Sequence, residues 1–239
     1  MSDYHHDDIV RMLSKYMTKP ILDLEDLNKL LLSSSSHLGV AIRNYLDFLV
    51  YKGVMSQEMA ITYKAIIQPR GSSPDLYIPT DEKVKEAFGN LNDVRFQTLY
   101  KILAFSGIRI TELIELIDTY EPEKMILNGK IAKYPLGYIR GQKQSYYVYM
   151  PKDVANEVRH FRVSLRSIVN KFNQAGLCGK YLRKWLYNFL IYNNVPESVA
   201  DFIEGRATQT VGSLHYLSKV KQADYWYGQV VGKLIEVLP

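Results

Sequence analysis

At 239 residues and 47% apolar side chains, the chain can bury one large core or two smaller ones. Its single cysteine, Cys178, excludes an intramolecular disulfide and a multi-cysteine zinc site, and no stretch of 18 uninterrupted apolar residues offers a membrane span, so a protein of a reducing, cytoplasmic interior with no membrane partner is expected. The net charge is only +5, yet twelve Lys or Arg lie between Lys130 and Lys184 against Asp153 and Glu157, a concentration suited to a polyanion such as nucleic acid.

Residues 1–68 carry four apolar runs near helical period: Ile9, Met12, Leu13 and Tyr16; Leu24, Leu27, Leu30 and Leu31; Val40, Ile42, Tyr45, Leu46 and Leu49; Met59, Tyr63 and Ile66. A four-helix module is predicted, with a turn at Ser33 to Ser36. Seven basic against eight acidic residues leave it nearly neutral, so DNA contacts there must come from a few placed side chains, and Arg43, Lys52 and Lys64 are the candidates. The His5-His6 pair has no partner ligands nearby, and no acidic cluster has metal-ligand spacing, so no metal is expected. Pro69-Arg70-Gly71-Ser72-Ser73-Pro74 reads as a linker, placed over 69–77, and a second module over 78–239 opens with a helix capped by Thr80 ahead of Asp81.

Leu99, Ile102, Leu103 and Phe105 form a helical run that stops at Gly107, and Leu113, Ile114, Leu116 and Ile117 begin another, so Arg109 sits in a junction between two helices. A guanidinium there points in a direction fixed by both, although a surface arginine beside a C-capping glycine would leave the same trace in this stretch alone. Beyond Tyr120, β-favouring residues predict three short strands, over 131–134, 137–140 and 145–149, the last two joined by the polar turn Gly141 to Gln144 with Lys143 at its tip. Helices resume near Asp153 and run almost to the end. The predicted fold class is therefore mainly α with a small antiparallel three-stranded sheet (α+β).

Arg159, Arg162 and Arg166 recur at roughly helical spacing and join Arg140 and Lys184 as candidate contacts to a phosphate backbone. Leu182, Trp185, Leu186, Phe189 and Leu190 give a core stripe, and Lys180 and Arg183, three apart elsewhere on that helix, are neighbours able to address one anion. Pro196 suits the first turn of the next helix, Gly205 ends it, and Arg206 follows directly. Val211, Leu214 and Leu217 pattern a further helix that holds Tyr216. After a polar connection, Tyr225, Val231, Leu234, Ile235 and Leu238 form a last stripe, which needs a surface to cover it on a neighbouring subunit or on its own domain. With 19 tyrosines in the chain, packing is the ordinary role for any one of them.

The order and spacing of these residues resemble the tyrosine recombinases, the phage-integrase family. Ser106-Gly107-Ile108-Arg109-Ile110-Thr111-Glu112-Leu113 looks like the first-arginine motif, and Lys180-Tyr181-Leu182-Arg183 like the second-arginine box. Ile203-Glu204-Gly205-Arg206, followed ten residues on by Tyr216, is similar to the closing motif. The likeness spans residues 78 to about 220, and the 1–68 module looks like the helical core-binding domain. Lys180 stands where the box usually opens with histidine, and Arg206 where histidine or tryptophan is usual; both still supply donors to a phosphate, and they point to an archaeal or viral branch.

What the resemblance implies is a catalytic domain over 78–239 in which Arg109, Lys143, Lys180, Arg183, Arg206 and Tyr216 cleave and rejoin double-stranded DNA through a 3′-phosphotyrosyl intermediate. No cofactor is needed, and self-association on DNA as a synaptic tetramer is expected, in the service of viral or plasmid genome integration. The chemistry is intelligible on its own terms: planar, permanently charged arginine forks suit the oxygens of a phosphodiester under attack, and a phenol with pKa near 10 must lose its proton to act as the nucleophile. Lys143 is assigned as the general acid, a role arginine cannot fill. A type IB topoisomerase, and a catalytically silent DNA-binding protein on the same fold, are the competing readings.

Overall fold

The helices of the N-terminal part form where the apolar period predicts them: α1 (Asp3–Tyr16), α2 (Leu24–Leu32), α3 (Ser36–Tyr51) and α4 (Gln57–Ile66). The computed structural model describes residues 3–17, 24–32, 36–67, 74–140, 143–206 and 216–238, which divide into two compact units, Met1–Asp75 and Leu76–Pro239. In the first unit Leu27, Leu38, Ile42, Leu46, Ala60 and Ile67 form one core. Val40 and Met59, expected on the buried stripes, face solvent. Val40 lies two residues from both Leu38 and Ile42, about 200° round the helix from each, so burying those two exposes it.

The second unit is built round α6 (Val94–Ser106), which follows α5 (Asp81–Gly89). Thr80 caps α5 as expected, its hydroxyl accepting the Lys83 N–H at 3.3 Å. Nine of the last eleven residues of α6 are buried, Thr98 and Ser106 included, so this helix has no solvent face and serves as the central strut. Its end is therefore a fixed point, and Gly107 stands there as its left-handed C-cap, donating to the Leu103 carbonyl at 2.9 Å. α7 (Ile110–Asp118) starts immediately, with Arg109 as its N-cap residue.

After a single 3₁₀ turn at Pro122–Lys124 comes an antiparallel sheet ordered β1 (Ile126–Asn128), β2 (Ile131–Arg140), β3 (Lys143–Pro151). The expected count of three is right and the division is not. The two strands placed over 131–134 and 137–140 are one, bent at an irregularity between Pro135 and Tyr138, because a proline that cannot donate to the ladder is accommodated at a bulge rather than ending the strand. The first strand is Ile126–Asn128, joined to β2 across Gly129-Lys130.

Helices do resume after β3, but with a gap. α8 (Lys152–Ala155) is one turn, residues 158–164 have no regular structure, and α9 (Leu165–Ala175) starts afresh with Ser164 accepting the Ser167 N–H at 3.2 Å. The irregular stretch buries Val158 and Phe161, seven and four residues before Leu165, which imitates helical spacing in the sequence. α10 (Gly179–Tyr192) packs on α6 through Leu182, Trp185, Leu186 and Leu190, and α11 (Glu197–Ile203) buries Val199, Ala200, Phe202 and Ile203.

α12 runs unbroken from Tyr216 to Val237, so the polar connection expected ahead of Tyr225 is helix. The helix patterned by Val211 and Leu214 lies outside the described residues. Ala223, Tyr227, Val230, Val231, Leu234 and Leu238 are buried in the same core as α6. The apolar tail is thus covered by its own domain, the second of the two surfaces the sequence leaves open for it. Lys133 on β2 and Asp224 on α12 form a half-buried ion pair at 2.5 Å, with the Tyr149 hydroxyl donating to the other carboxylate oxygen at 3.0 Å. Lys133 therefore drops out of the basic surface counted from the sequence.

Candidate active site

Three separate stretches of chain converge in the second unit. The Gly107–Arg109 junction leaves α6, Arg183 lies one turn into α10, and Gly205-Arg206 follows α11. The Arg183 Nη1 donates to the Gly107 carbonyl at 2.7 Å, and the Arg109 Nη1 lies 3.5 Å from the Gly205 carbonyl. Arg206 donates from Nε to Glu204 Oε2 at 2.5 Å, and the same oxygen is 3.6 Å from Arg183 Nε. Arg109, Arg183 and Arg206, three of the six residues expected in the site, are thereby brought together.

Two carboxylates hold them. Glu112 Oε2 accepts the Arg109 backbone N–H at 2.7 Å and Oε1 the guanidinium at 2.5 Å, so one side chain caps α7 and aims the arginine. Glu204 is wholly buried, and among the described residues its Oε1 has no hydrogen-bond partner. Burial pushes the Glu204 carboxyl up to about 7, with Arg183 and Arg206 pulling against it. Burial also pulls Arg183 down to about 10, opposed by Glu204 and reinforced by the charges of Arg109 and Arg206; it stays protonated at neutral pH. With Glu204 ionised, these three cations against two anions leave one positive charge in excess.

Glycine is required where the chain crosses this cluster. Gly107 has φ +63°, and a Cβ on it would lie 2.7 Å from Glu204 Cγ. Gly205 has φ +65°, and a Cβ there would lie 2.1 Å from Ser145 Oγ and 3.0 Å from Ser145 Cα on β3. Gly205→Ala is expected to destabilise the protein by about 2–4 kcal/mol, the sum of left-handed strain and overpacking. Urea unfolding reads this, and a loss below about 1 kcal/mol would show that β3 yields at little cost.

The geometry has a counterpart in sequence space. A family model for the archaeal phage integrase matches residues 76–233. The chain belongs to the archaeal phage integrase family. No curated protein matches it. Among solved structures the XerA recombinase is similar with a TM-score of 0.40 and 14% identity, over 98% of this chain and 92% of that one. The integrase from mycobacterium phage Brujita is similar with a TM-score of 0.43 and 14% identity, over 96% and 92%. Membership of the integrase family gives the chain a site-specific recombinase role and implies DNA as what it binds.

The other expected residues of this integrase fall into groups. Lys143 opens β3, where it pairs with Arg140 across the hairpin, and Tyr216 opens α12; their side chains, with that of Arg140, lie outside what is described. Lys180 is exposed in the first turn of α10, its Nζ 4.5 Å above the Tyr181 ring. Lys184 donates to the Tyr77 carbonyl at 3.2 Å and so helps fasten the chain entering the domain. Arg159 and Arg162 are exposed in the irregular stretch before α9, and Arg166 is exposed on α9 itself, so the three do not share the helix face their spacing predicts.

In the first unit Arg43 spends its Nη1 on the carbonyls of Lys64 and Ile67, at 3.0 and 3.2 Å, tying α3 to the end of α4. Lys64 is ion-paired with Asp47, and Lys52 is exposed beside Phe48 and Tyr51. Of these three, Lys52 alone carries no fold contact to another element among the described residues. No described helix is long and apolar enough to cross a membrane.

Proposed function

We propose that this integrase cleaves and rejoins DNA through a tyrosine nucleophile, with Arg109, Arg183 and Arg206 as the phosphate cradle and Tyr216 as the attacking group. The observation that carries the reading is the convergence of three arginines from three separate stretches of chain, two just past helix ends and one a turn into α10, each with a backbone or carboxylate partner that fixes its direction. Prepositioned cations of this kind suit a phosphodiester whose negative charge grows in the transition state. Attack by the Tyr216 oxygen forms a phosphorus–oxygen bond to the enzyme and breaks the bond to the 5′ oxygen; the phenol proton is lost and the 5′ oxygen gains one. The phosphotyrosine conserves the energy of the broken ester, so a second 5′ hydroxyl reverses the step and reseals the strand. On this reading the second unit is the catalytic domain, the first a DNA-holding domain, and a tetramer on DNA is the working assembly. The test is incubation with a suicide duplex whose cleaved 5′ fragment diffuses away, followed by denaturing electrophoresis. A covalent protein–DNA adduct is expected, and its absence with a cognate site would reduce the protein to a DNA-binding module.

Lys143 is the proposed proton donor to the leaving 5′ oxygen, from its place where β2 and β3 meet at the far end of the hairpin. Lys143→Ala should cleave ordinary DNA very slowly but cleave a substrate with sulfur at the bridging 5′ position far better, because a thiolate leaves without a proton. Arg109→Ala should gain nothing from sulfur. Equal defects of Lys143→Ala on both substrates would make Lys143 a phosphate contact and move the acid to Lys180 or solvent.

A further inference from the structure

The odd member of the cluster is Glu204. A phosphate site lined by arginines has no need of a fully buried carboxylate, and this one occupies an Arg206 donor that a phosphate oxygen would otherwise take. Only Oε2 is engaged; Oε1 is buried without a partner among the described residues, as is the hydroxyl of Ser145 on the other side of Gly205. A satisfied structural carboxylate would use both oxygens. We propose that Glu204 is a resident anion that holds the arginine cluster while no phosphate is bound, and that it takes up a proton when a phosphate enters.

The charge arithmetic supports this. Facing Glu204 are Arg183 from α10, Arg206 beyond α11 and Asp201 on α11, with Arg109 and Glu112 of α7 coupled through Arg183. Three arginines, two ionised glutamates and Asp201 sum to zero. A phosphodiester therefore makes the cluster negative while Glu204 stays ionised, and the further charge of the transition state deepens that. An ionised Glu204 would also share its donors with a second anion, the like-charge arrangement that drives one of two acids to hold its proton. A proton on Glu204 offsets the charge the phosphodiester brings and supplies an O–H for a neighbouring acceptor. Burial already lifts this carboxyl to about 7 without a phosphate.

The inference rests on the reading of the arginines as a phosphate cradle, and sulfate tests it apart from any DNA chemistry because its charge is constant from pH 6 to 8.5. Sulfate is titrated into the full chain and followed by arginine Nε–H resonances. The wild-type affinity should weaken about tenfold per pH unit above 7, as one linked proton requires. Glu204→Gln, which imitates the protonated form, should bind sulfate with one affinity from pH 6 to 8.5 and more than tenfold tighter than wild type at pH 8.5. A wild-type affinity independent of pH, a pH dependence that survives in Glu204→Gln, or weaker binding by that variant at pH 8.5 would each overturn the proposal. Should Glu204→Gln not fold, calorimetry of the wild type at pH 8 in two buffers of different ionisation enthalpy decides: about one proton taken up per sulfate is expected, and none sinks it. Failure of the recombinase reading would look different, as absence of a covalent DNA adduct with sulfate binding unchanged.

Discussion

Tyr216→Phe should abolish the covalent adduct completely and leave DNA binding intact. The substitution removes one oxygen and keeps the ring, so only the proposed nucleophile is lost. Two other tyrosines on the same helix are the natural substitutes, and their surroundings differ. Tyr227 is fully buried, donates to the Phe105 carbonyl at 2.9 Å, and has its pKa pushed well above the usual phenol value by burial. It is a core residue and cannot reach a DNA strand. Tyr225 is 61% exposed and stacks edge-on with Trp226, so it alone is open to solvent. Suicide duplex and denaturing electrophoresis give the measurement. Adducts that persist in Tyr216→Phe and vanish in Tyr216→Phe/Tyr225→Phe would transfer the nucleophile to Tyr225.

Arg183→Ala is the second large effect. Removing one preorganised donor to a developing charge costs about 10²–10³-fold in rate, and Arg183 is the most enclosed of the three arginines, with 13% of its side chain exposed. It also joins two of the converging chain stops, because it bonds the Gly107 carbonyl and lies beside Glu204. The single-turnover cleavage rate should therefore fall by at least about 10²-fold with adduct chemistry otherwise unchanged. Arg183→Lys separates charge from geometry: it keeps the cation and loses the fork, and should recover only part of the rate. Thermal unfolding of both variants shows whether the domain survives. A folded Arg183→Ala protein that cleaves within threefold of wild type would remove this residue from the reaction.

The parts of the molecule that were legible in the sequence are those fixed by local chemistry. Gly107 and Gly205 punctuate helices whose apolar runs stop at them, Thr80 caps where a cap is expected, and Arg109 and Arg206 follow such stops. What escaped depends on contacts distant along the chain. Pro135 looks like a strand break until β3 is there to pair with both sides of the bulge. β1 is a three-residue edge strand, too short for any alternation, although Gly129 at the first position of the two-residue turn is a hairpin signal pointing to it. Arg159 and Arg162 were spaced like helix residues because Val158 and Phe161 reach the core along an irregular path. Glu204 left no trace beyond a carboxylate in an apolar run, since its meaning lies in arginines 21 residues before it and two after. Glu112 was more accessible, three residues beyond an N-cap, but an arginine in that cap position disguises the pattern.

The tie between Lys133, Tyr149 and Asp224 sets a limit on how far the proposed nucleophile can travel. From Ala223 onward α12 is rooted in the core, and Tyr216 sits eight residues before Asp224, about 12 Å along the helix axis. That segment acts as a tether of adjustable length. Wound, it delivers the tyrosine at a single reach; unwound, the same eight residues extend to about 26–29 Å. Any transfer of Tyr216 toward a second protein–DNA half-site must therefore draw on the first two turns of α12 alone, since pulling further would extract Tyr227 and the valines behind it from the interior.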